Sequence, residues 1–530
     1  MMRRWNGWGL ESVDVEPKPA TEAFLRTAIG PGRPTPDATF HGTAESLPPS
    51  RLPAHPLVDL SPRARLLHAR GQSFPDWIDL RSGRIDAAPD GVATPSHRGE
   101  VAALLRYAAD SGARVIPYGG GTSVVGHISP ERGDSPVLTI SLSSLDQLSH
   151  LDEESRLATF GAGIRGPALE AELRGRGYTL GHFPQSFEHS TLGGWIATRS
   201  SGQQSLRYGR IEHLFVGGHV ETPSGALELP CVPASAAGPD LRQVILGSEG
   251  RLGIISDAVV QISKLPERER FRPYFLPSWE AGVGLVRALA QARVPLSMVR
   301  LSNPVETRTQ LALAGHPTMT GLLRGLLRLR GLGEERCMLM LGFTGSAREV
   351  RFLEKQVRWE VFAAGGVAGP RQIADAWQRG RFRNAYLRNS LWTRGYGIDT
   401  VETAVRWSRV TSTMNHIEDA ANAVLAADSE RGLVFTHLSH VYPVGSSVYS
   451  TFVFRLERDP DATLARWRRL KEAVSQAIVL CGGTISHQHG VGADHLPYLP
   501  AEKGALGIAA LRGLQRTFDP DGRMNPGKLC

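Results

Sequence analysis

The sequence has little cysteine and no long apolar run. Its four cysteines, Cys231, Cys337, Cys481 and Cys530, share no CxxC spacing, which argues against a disulfide framework or a cysteine zinc site and is typical of a reducing compartment. No window reaches the roughly 18 uninterrupted apolar residues of a membrane span, and the N-terminal segment lacks the apolar core of a signal peptide. We therefore expect a soluble protein that is not exported.

Basic clusters are also missing, although the net charge is +8. The basic residues are nearly all arginine and are scattered along the chain, with no basic block and no alternation of basic and aromatic residues. The charge therefore does not indicate a nucleic-acid partner, and it remains compatible with phosphate, carboxylate or anionic lipid.

Several catalytic signatures are absent, namely GxxxxGK[ST], HExxH and GxSxG, which argues against NTPase, zinc-protease and α/β-hydrolase chemistry. Gly161, Gly163 and Gly166 match GxGxxG, but the stretch where a dinucleotide-binding unit needs a strand ending in an acidic residue reads GHFPQSFEHST. We expect these glycines to form a tight turn between a strand and a helix.

The length predicts more than one lobe, because a single hydrophobic core rarely serves 530 residues. We divide the chain into an N-terminal extension wrapped on the body (1–85), a lobe of alternating strand and helix patterns (86–267), a second mixed lobe (268–480) and a C-terminal segment (481–530). VAALLRYAADSG has the periodicity of an amphipathic helix, while ARVIPY, PVLTIS and CMLMLGFTG read as strands. The pattern predicts an α+β fold.

Three glycine-rich turns stand between strand-like runs and polar segments. They are PYGGGTSV at 117–124, GHFPQSFEHSTLGGWIATRSSG at 181–202 and LGSEGRLGI at 246–254. Glycine lets backbone amides approach phosphate oxygens closely, and neighbouring hydroxyls add donors, so repeated loops of this kind suit a pyrophosphate. Their sequences resemble those of the flavin-binding domain of the vanillyl-alcohol-oxidase family, in which the FAD pyrophosphate lies on a PxGGGTS loop.

A narrower resemblance runs from residue 4 to 529. RWNGWG at 4–9 is similar to the KWNGWG opening of alkyldihydroxyacetonephosphate synthases, and FPQSFEHSTLGGWIATRSSG is similar to their PDSxEFSTxGGWxxTRASG loop. SMVRLSNPVETR, AYLRNSL with ET fourteen residues on, GSSVYSTFVF and SHQHGVG follow in that family's order. The resemblance implies a two-lobed PCMH-type FAD-binding domain plus a mixed α/β substrate (cap) domain, with the N-terminal extension.

Carried over position by position, the resemblance implies that noncovalent FAD contacts four segments. Their residues are Pro117, Tyr118, Gly119, Gly120, Gly121, Thr122 and Ser123; Gln185, Ser186, Phe187, Glu188, His189, Ser190 and Thr191; Thr198, Arg199, Ser200 and Ser201; and Glu249, Gly250, Arg251, Leu252, Gly253, Ile254 and Ile255. Covalent flavins in the superfamily use a histidine or cysteine in these loops. His127, just beyond the first loop, is the residue that could change this expectation.

The catalytic tyrosine of the family matches Tyr449. In the strand pattern SVYSTFVF, alternation places Tyr449, Thr451 and Val453 on one face and Val448, Ser450, Phe452 and Phe454 on the other, so the phenol can point toward the flavin. Read without the family, a lone tyrosine of this kind is an ordinary core or interface residue. The neighbouring motif favours the catalytic interpretation.

His487, Gln488 and His489 match three consecutive histidines of the family. Residues two apart on an extended segment project to the same side, so the outer imidazoles can share a site and exchange protons near neutral pH. We expect no metal there, because a third ligand at a usual spacing is missing. Gln488 cannot take up a proton, which leaves open whether the chain performs the family's reaction or a related one.

Arg300 and Arg388 match family arginines that face the phosphate or carboxylate end of the substrate, with Arg300 near the chemistry and Arg388 binding the substrate. Guanidinium groups bind such anions bidentately. The alternative for both residues is an ordinary solvated side chain, because the sequence contains many arginines. Residues near the matched segments are expected to support the site from outside: Arg394, Tyr396, His437 and His440.

By resemblance, the enzyme exchanges the acyl chain of an acyl-dihydroxyacetone phosphate for a fatty alcohol, with no net redox change. The alternative is a flavin-linked oxidase or dehydrogenase of a 2-hydroxy acid or other hydroxylated substrate, and a flavin- or lipid-binding protein without turnover is the third. We expect a small-molecule or lipid substrate, while a monomer and a homodimer both stay open.

The family's eukaryotic members usually carry a peroxisomal extension, whereas this chain starts almost directly at RWNGWG, so a cytoplasmic protein is expected. Residues 321–332, GLLRGLLRLRGL, place Leu322, Leu323, Leu326 and Leu327 on one helical face with Arg324 and Arg328 opposite. Such a stretch suits peripheral contact with the inner face of a membrane, and a solvated helix is the alternative.

Overall fold

The computed structural model describes residues 2–313 and 317–530. The helices are α1 Pro19–Ile29, α2 Phe40–Glu45, α3 Pro62–Leu67, α4 Phe74–Ser82, α5 Arg98–Asp110, α6 Gly166–Arg174, α7 Leu192–Ala197, α8 Ser205–Tyr208, α9 Ile211–Leu214, α10 Arg242–Ile245, α11 Trp279–Gln291, α12 Pro304–Leu313, α13 Pro317–Leu329, α14 Ala347–Ala363, α15 Arg371–Gly380, α16 Leu387–Thr393, α17 Val410–Ala427, α18 Pro460–Leu480 and α19 Leu499–Phe518. Short 3-10 turns cover Arg383–Tyr386, Trp407–Arg409 and Leu496–Tyr498.

The strands fall into two lobes, as the α+β pattern predicted. They are β1 Val58–Asp59, β2 Gly91–Ala93, β3 Arg114–Tyr118, β4 Val137–Ser141, β5 Leu148–Asp152, β6 Leu157–Gly161, β7 Tyr178–Thr179, β8 Phe215–Thr222, β9 Gly225–Leu229, β10 Ile254–Gln261, β11 Ser263–Lys264, β12 Arg268–Leu276, β13 Met298–Ser302, β14 Cys337–Gly345, β15 Val367–Ala368, β16 Tyr396–Arg406, β17 Leu433–Leu438, β18 Val441–Tyr442 and β19 Gly445–Arg455.

The first lobe contains two larger sheets and a two-stranded pairing of β7 with β11. One has the order β1-β2-β4-β3, in which β2, β4 and β3 run parallel, and the other is antiparallel with the order β5-β6-β10-β8-β9. Helix α5 packs between them because Val101, Leu104, Leu105 and Ala108 recur at helical spacing and are all buried. This lobe positions the three glycine-rich turns.

The GxGxxG stretch forms the tight turn predicted for it. It joins β6, which pairs antiparallel with β5 and β10, to α6. A Cβ atom on Gly163 would lie 1.6 Å from the carbonyl oxygen of Leu142, and one on Gly161 would lie 2.4 Å from that of Leu145. Close backbone packing therefore explains these glycines without a dinucleotide.

The second lobe, the cap, is built on one large antiparallel sheet with the order β15-β12-β14-β13-β17-β19-β16, and β18 pairs with β19. On one face of this sheet, the helices α11, α14, α17 and α18 bury a continuous apolar core. Val448, Phe452 and Phe454 of β19 belong to that core, whereas Tyr449 and Val453 do not. The alternation predicted for SVYSTFVF is confirmed, and Tyr449 points to the opposite face.

Both the N-terminal region and the C-terminal segment pack into the core of a lobe. Phe74 and Trp77 of α4 are completely buried in the core of the cap, and Trp8 packs beside them. Near the C-terminus, Met524 is completely buried in the core of the first lobe. The N-terminal region therefore contributes to the cap core, and the C-terminal segment fastens the cap to the first lobe.

Helix α13 forms as the sequence indicated, but its leucines do not share one exposed face. Leu327 is buried and Leu323 packs partly buried in the same apolar cluster of the cap. Leu322, Leu326 and Leu329 are exposed by 70%, 63% and 84%. A surface formed by all four predicted leucines is therefore wrong for Leu323 and Leu327, because these two side chains pack against the cap sheet. Among the described residues no helix is both long and apolar enough to cross a bilayer.

Candidate active site

The first two glycine-rich turns lie against each other. Gly120 follows β3, and a Cβ atom there would lie 1.9 Å from the carbonyl oxygen of His189. A Cβ atom on Gly119 would lie 2.4 Å from the hydroxyl of Thr191, and Gly121 has a φ of +68°. Only glycine permits this backbone approach. The two loops therefore form one cradle, as the cofactor prediction requires.

The third turn joins this cradle to the C-terminal segment through Glu249. Its carboxylate accepts hydrogen bonds from the backbone N–H groups of Val491 and Gly492 at 2.5 and 2.8 Å and lies 3.2 Å from Nε2 of His127. The other nitrogen of His127, Nδ1, lies 2.7 Å from the hydroxyl of Ser123. Nδ1 of His127 is therefore hydrogen-bonded, and Nε2 faces the carboxylate of Glu249 without a hydrogen bond.

Unpaired polar atoms remain along the cradle. The hydroxyl of Ser201 and Nδ1 of His182 are buried without a hydrogen-bond partner, while Nε2 of His182 lies 3.2 Å from the hydroxyl of Ser200. Burial lowers the pKa of His182 to about 3, so this imidazole is neutral. Buried polar atoms are normally satisfied, and hydroxyl and imidazole donors beside glycine-rich backbone fit the phosphates and the ring edge of FAD.

Other residues that the family resemblance assigns to FAD fall into an apolar group and a polar group. Those in the apolar core can reach a cofactor only through their backbone: Phe187, Leu252, Ile254 and Ile255. Arg251 donates to the carbonyl of Met524, Arg199 donates to Gln243 at 2.5 Å and Gln185 donates to the carbonyl of Arg381 at 2.5 Å. Arg199 and Gln185 are therefore held by protein partners, whereas Nε of Arg251 is buried without one.

Across from the cradle, three side chains form a row on the face of the cap sheet opposite α11, α14, α17 and α18. Tyr449 of β19 lies directly opposite Glu402 of β16 on one side and His437 of β17 on the other. Directly opposed residues share a sheet face. Because Met338 of β14 pairs with Ser302, and Ser302 pairs with His437, this is also the face that α12 and α13 cover.

Tyr449 is enclosed by aromatic rings. The imidazole of His437 stacks on its ring at 4.8 Å between centroids, and His489 meets it edge-on at 5.7 Å. Its hydroxyl donates to the hydroxyl of Thr400 at 3.1 Å. Burial raises the pKa of Tyr449 well above its usual value, so the phenol keeps its proton at neutral pH and can act as an acid.

Arg300 is held by a buried carboxylate. Its Nη2 donates to Oε1 of Glu306 at 2.7 Å, and Nδ1 of His437 lies 3.1 Å from the same oxygen. Burial would raise the pKa of Glu306, but His437 and Arg300 outweigh it and keep the carboxyl ionised. Nε of Arg300 has no hydrogen-bond partner. The arginine is therefore fixed and still has a donor to offer.

His487 and His489 both face Glu402, a carboxylate to which the sequence did not point. The segment bends instead of running extended, and the two Nδ1 atoms lie 3.8 and 3.7 Å from the two oxygens of Glu402. The carboxylate also accepts the backbone N–H groups of Gln488 and His489 at 2.5 and 2.6 Å. Burial opposes ionisation of Glu402, but the two imidazoles and these N–H groups hold its pKa below its usual range.

Arg388, on α16, has two donors that are free to bind a ligand. Nη1 donates to the carbonyl of Gln72 at 2.5 Å, whereas Nε and Nη2 are buried without partners. The guanidinium lies over Trp77 at 4.3 Å, and burial lowers the pKa of Arg388 to about 10. It remains charged at neutral pH, and an anion would satisfy its unpaired N–H groups.

The RWNGWG segment locks the two lobes together beside this site. Trp8 exchanges backbone hydrogen bonds with the side chain of Asn389 at 2.9 and 3.0 Å and meets the ring of His189 edge-on at 5.6 Å. Gly9 lies against the ring of Tyr386, where a Cβ atom would approach within 2.3 Å. This motif therefore supports the neighbours of Arg388 and the second flavin loop.

Sequence reasoning missed Glu402, Glu306 and His182 and ranked His437 and His440 only as supporting residues. Glu306 and Glu402 lie inside two matched segments, VRLSNPVETR and the ET after AYLRNSL, which were the available signal. Arg394 and Tyr396, ranked equally, face the N-terminal region instead: Arg394 binds Glu16 and Glu22, and Tyr396 donates to the carbonyl of Gly30 at 2.8 Å.

Family models match most of the chain. Residues 89–228 match the model described as FAD binding domain, and residues 265–529 match FAD linked oxidases, C-terminal domain. These two matches correspond to the lobe that carries the glycine-rich turns and to the cap with the C-terminal segment. The chain therefore has the PCMH-type flavoprotein fold and binds FAD.

Comparison with individual proteins gives a more specific similarity than the family models do. The chain is 32% identical to alkyldihydroxyacetonephosphate synthase of Dictyostelium discoideum over 88% of this chain and 77% of that protein. A solved structure of alkyldihydroxyacetonephosphate synthase matches with a TM-score of 0.84 at 26% identity, covering 99% of both chains. An uncharacterized FAD-linked oxidoreductase of Escherichia coli, YgcU, is 26% identical over 87% of this chain and 92% of that protein.

Proposed function

Because this chain belongs to the alkyldihydroxyacetonephosphate synthase family, we propose that it is an FAD-dependent enzyme that exchanges the acyl chain of acyl-dihydroxyacetone phosphate for a fatty alcohol. The observation that carries the proposal is the cap face opposite the flavin cradle. There a protonated phenol, two carboxylate-linked imidazoles and two arginines with unpaired donors meet. When bound, FAD supplies an electron-accepting ring to a reaction without net redox change.

In this proposal the two arginines orient the substrate. Arg388 donates its free Nε and Nη2 hydrogens to the phosphate, because a guanidinium matches phosphate oxygens bidentately. Arg300, fixed by Glu306, presents Nε toward the oxygen nearest the reacting carbon. Binding the anion far from the carbon that reacts holds that carbon in register with the catalytic row.

Tyr449 and His489 move the protons. The buried phenol holds its proton at neutral pH and can give it to the departing oxygen. Burial lowers the pKa of His489, so this imidazole is neutral and can accept a proton. Glu402, 3.7 Å from His489, would stabilise the resulting imidazolium.

The test is an anaerobic assay with acyl-dihydroxyacetone phosphate and labelled fatty alcohol. A redox-neutral exchange needs no external acceptor, so many turnovers of alkyl product per flavin are expected. Product limited to one equivalent, or none at all, would contradict the proposal.

The second candidate is a flavin-linked oxidoreductase of a hydroxylated substrate. Two observations favour it: Gln488 replaces the middle histidine of the family motif, and the chain resembles the Escherichia coli FAD-linked oxidoreductase. This candidate predicts that a 2-hydroxy acid or an alcohol bleaches the flavin anaerobically and that only an added electron acceptor restores its colour. The same sample therefore separates the two functions.

We also propose a cytoplasmic enzyme that touches the inner face of a membrane through Leu322, Leu326 and Leu329. These exposed side chains lie on α13, on the same side of the cap sheet as Tyr449. A lipid substrate could therefore reach the site from a surface bound there. Leu322→Glu with Leu326→Glu should abolish co-sedimentation with anionic vesicles.

Phe352 and Trp359 provide a matched control. They are exposed by 71% and 70% on α14, which packs on the opposite face of the cap sheet. Phe352→Glu with Trp359→Glu adds the same charge to an equally apolar surface and should leave vesicle binding unchanged. Loss of binding in this pair alone would move the contact to the other face and contradict the proposal.

A further inference from the structure

The imidazole of His487 is held by two donors at one nitrogen. Nε2 of His487 lies 2.6 Å from the hydroxyl of Tyr442 and 2.7 Å from Nη1 of Arg210. Neither residue belongs to the segments that carry the flavin or the catalytic row. Arg210 precedes α9 in the first lobe and Tyr442 ends β18 in the cap, so His487 is gripped from both lobes.

Arg210 is itself firmly placed. Its Nη2 donates to the backbone carbonyls of His487 and Arg199 at 2.9 and 3.0 Å, and its Nε lies 3.2 Å from Glu212. Nη1 also donates to the hydroxyl of Tyr442 at 3.1 Å. The side chain of Arg210 is only 12% exposed, so the guanidinium grips both the backbone and the ring of His487.

This arrangement fixes where the proton of His487 resides. A guanidinium can only donate hydrogen bonds, so Nε2 must accept and cannot carry a proton. A neutral imidazole then carries its single proton on Nδ1. That atom lies 3.8 Å from Oε2 of Glu402, beyond hydrogen-bond distance, and neither atom has a hydrogen-bond partner. The Nδ1–H group therefore faces a carboxylate oxygen that is free to accept it after a small shift.

A second proton on His487 is disfavoured. It would have to sit on Nε2, directly against the permanent charge of Arg210 at 2.7 Å. Burial together with Arg210 lowers the pKa of His487 despite the opposing effect of Glu402. The ionisable groups that face His487 are Glu402, Arg210, Glu212, Tyr442, His440 and His489.

We infer that Arg210 and Tyr442 are positioning residues that lock His487 as a neutral Nδ1–H donor toward Glu402. His487 then orients the carboxylate and does not exchange protons with substrate, which leaves His489 as the imidazole that does. This assignment goes beyond the sequence prediction, which gave both histidines the same role. In this arrangement His487 does not depend on proton exchange with its neighbour Gln488, which cannot take up a proton.

The direct test is NMR of the full-length FAD-loaded protein with 15N-labelled histidine, using His487→Gln to assign the signal. Nitrogen shifts distinguish protonated from unprotonated ring positions. Between about pH 5 and pH 8, where an ordinary histidine titrates, His487 should keep a proton on Nδ1 and none on Nε2. A protonated Nε2, or an ordinary titration, would overturn the inference.

Variants separate the two donors. In Tyr442→Phe the tautomer should persist, because Arg210 still donates to Nε2. In Arg210→Met with Tyr442→Phe, His487 should lose its single tautomer and titrate within that range, whereas Arg210→Lys should retain it through the remaining cation. Arg207→Met, which removes an exposed arginine nearby, is the matched control and should change nothing. An unchanged tautomer in the double variant would contradict the role of these donors.

The inference on turnover rests on the proposed function, but the tautomer measurement needs no substrate. If the enzyme turns over, the double variant should lose about 10-fold or more in kcat and gain an ionisation in its pH profile, with KM little changed. A protein that shows the locked tautomer but no alkyl product would contradict the proposed function alone. Flavin absorbance of each variant shows whether it has folded.

Discussion

The two lobes build their halves of the site in different ways. In the first lobe, two glycine-rich loops bring backbone close to backbone, as where Gly120 approaches the carbonyl of His189. In the cap, side chains from neighbouring strands meet through register, as Glu402, Tyr449 and His437 do across β16, β19 and β17. The first lobe thus carries the match to the FAD binding domain, and we propose that the cap performs the chemistry. The two tasks should therefore be separable by substitution.

The largest expected effect is in the cap. Tyr449→Phe removes one hydroxyl without changing the packing volume much, so flavin content should stay at the wild-type level while turnover falls about 10²- to 10⁴-fold. Steady-state kinetics with flavin quantified by absorbance measures both. Tyr178→Phe, which removes a hydroxyl that donates to Glu153 at 3.3 Å in the first lobe, is the control. Wild-type kinetics in Tyr449→Phe would assign the phenol to structure.

Arg388→Met should act on substrate binding. It removes two unpaired donors that we assign to the phosphate, and hydrogen bonds to charged groups contribute about 1.5–3 kcal/mol. We expect KM to rise about 10- to 100-fold with a smaller change in kcat. Arg388→Lys keeps the charge but loses the bidentate geometry and should be intermediate. A variant with unchanged KM for the phosphorylated substrate would place the phosphate elsewhere.

Gly120→Ala tests the other lobe. The new methyl group would meet the carbonyl of His189 at 1.9 Å, and overpacking of this kind typically costs about 1–3 kcal/mol. FAD affinity should fall about 5- to 100-fold when flavin is titrated into the apoprotein. Gly284→Ala, on α11 with open space around it, is the matched control. Full affinity in Gly120→Ala would show that the loop can relax away from its neighbour.

The smallest expected effect concerns the bond to the flavin. Nδ1 of His127 is hydrogen-bonded to Ser123 and Nε2 lies 3.2 Å from the carboxylate of Glu249, and the first loop offers hydroxyls where covalent members of the superfamily use histidine or cysteine. Acid denaturation should therefore release all of the flavin into the supernatant. Colour that remains with the precipitated protein would contradict noncovalent binding.

These differences explain how far sequence reasoning reached. Loops such as 117–123 could be predicted because their function depends on local backbone geometry, and glycine residues indicate that geometry in the sequence. The α+β pattern could be predicted from the periodicity of the apolar residues. Glu402 could not be assigned, because its role depends on the register of β16 against β19, and Glu306 could not, because it reaches His437 only when β13, which precedes α12, pairs with β17. The leucines of α13 failed for a related reason: helical spacing alone does not tell which edge the cap sheet covers.

The most direct test of the division between the lobes is turnover per bound flavin in Gly120→Ala and Tyr449→Phe, measured anaerobically at saturating FAD. The account predicts that Gly120→Ala, once loaded, turns over at close to the wild-type rate per flavin, while Tyr449→Phe binds flavin fully and falls by about 10²-fold or more. A fully loaded Gly120→Ala enzyme that is as impaired as Tyr449→Phe would show that the flavin loop takes part in the chemistry and would contradict the account.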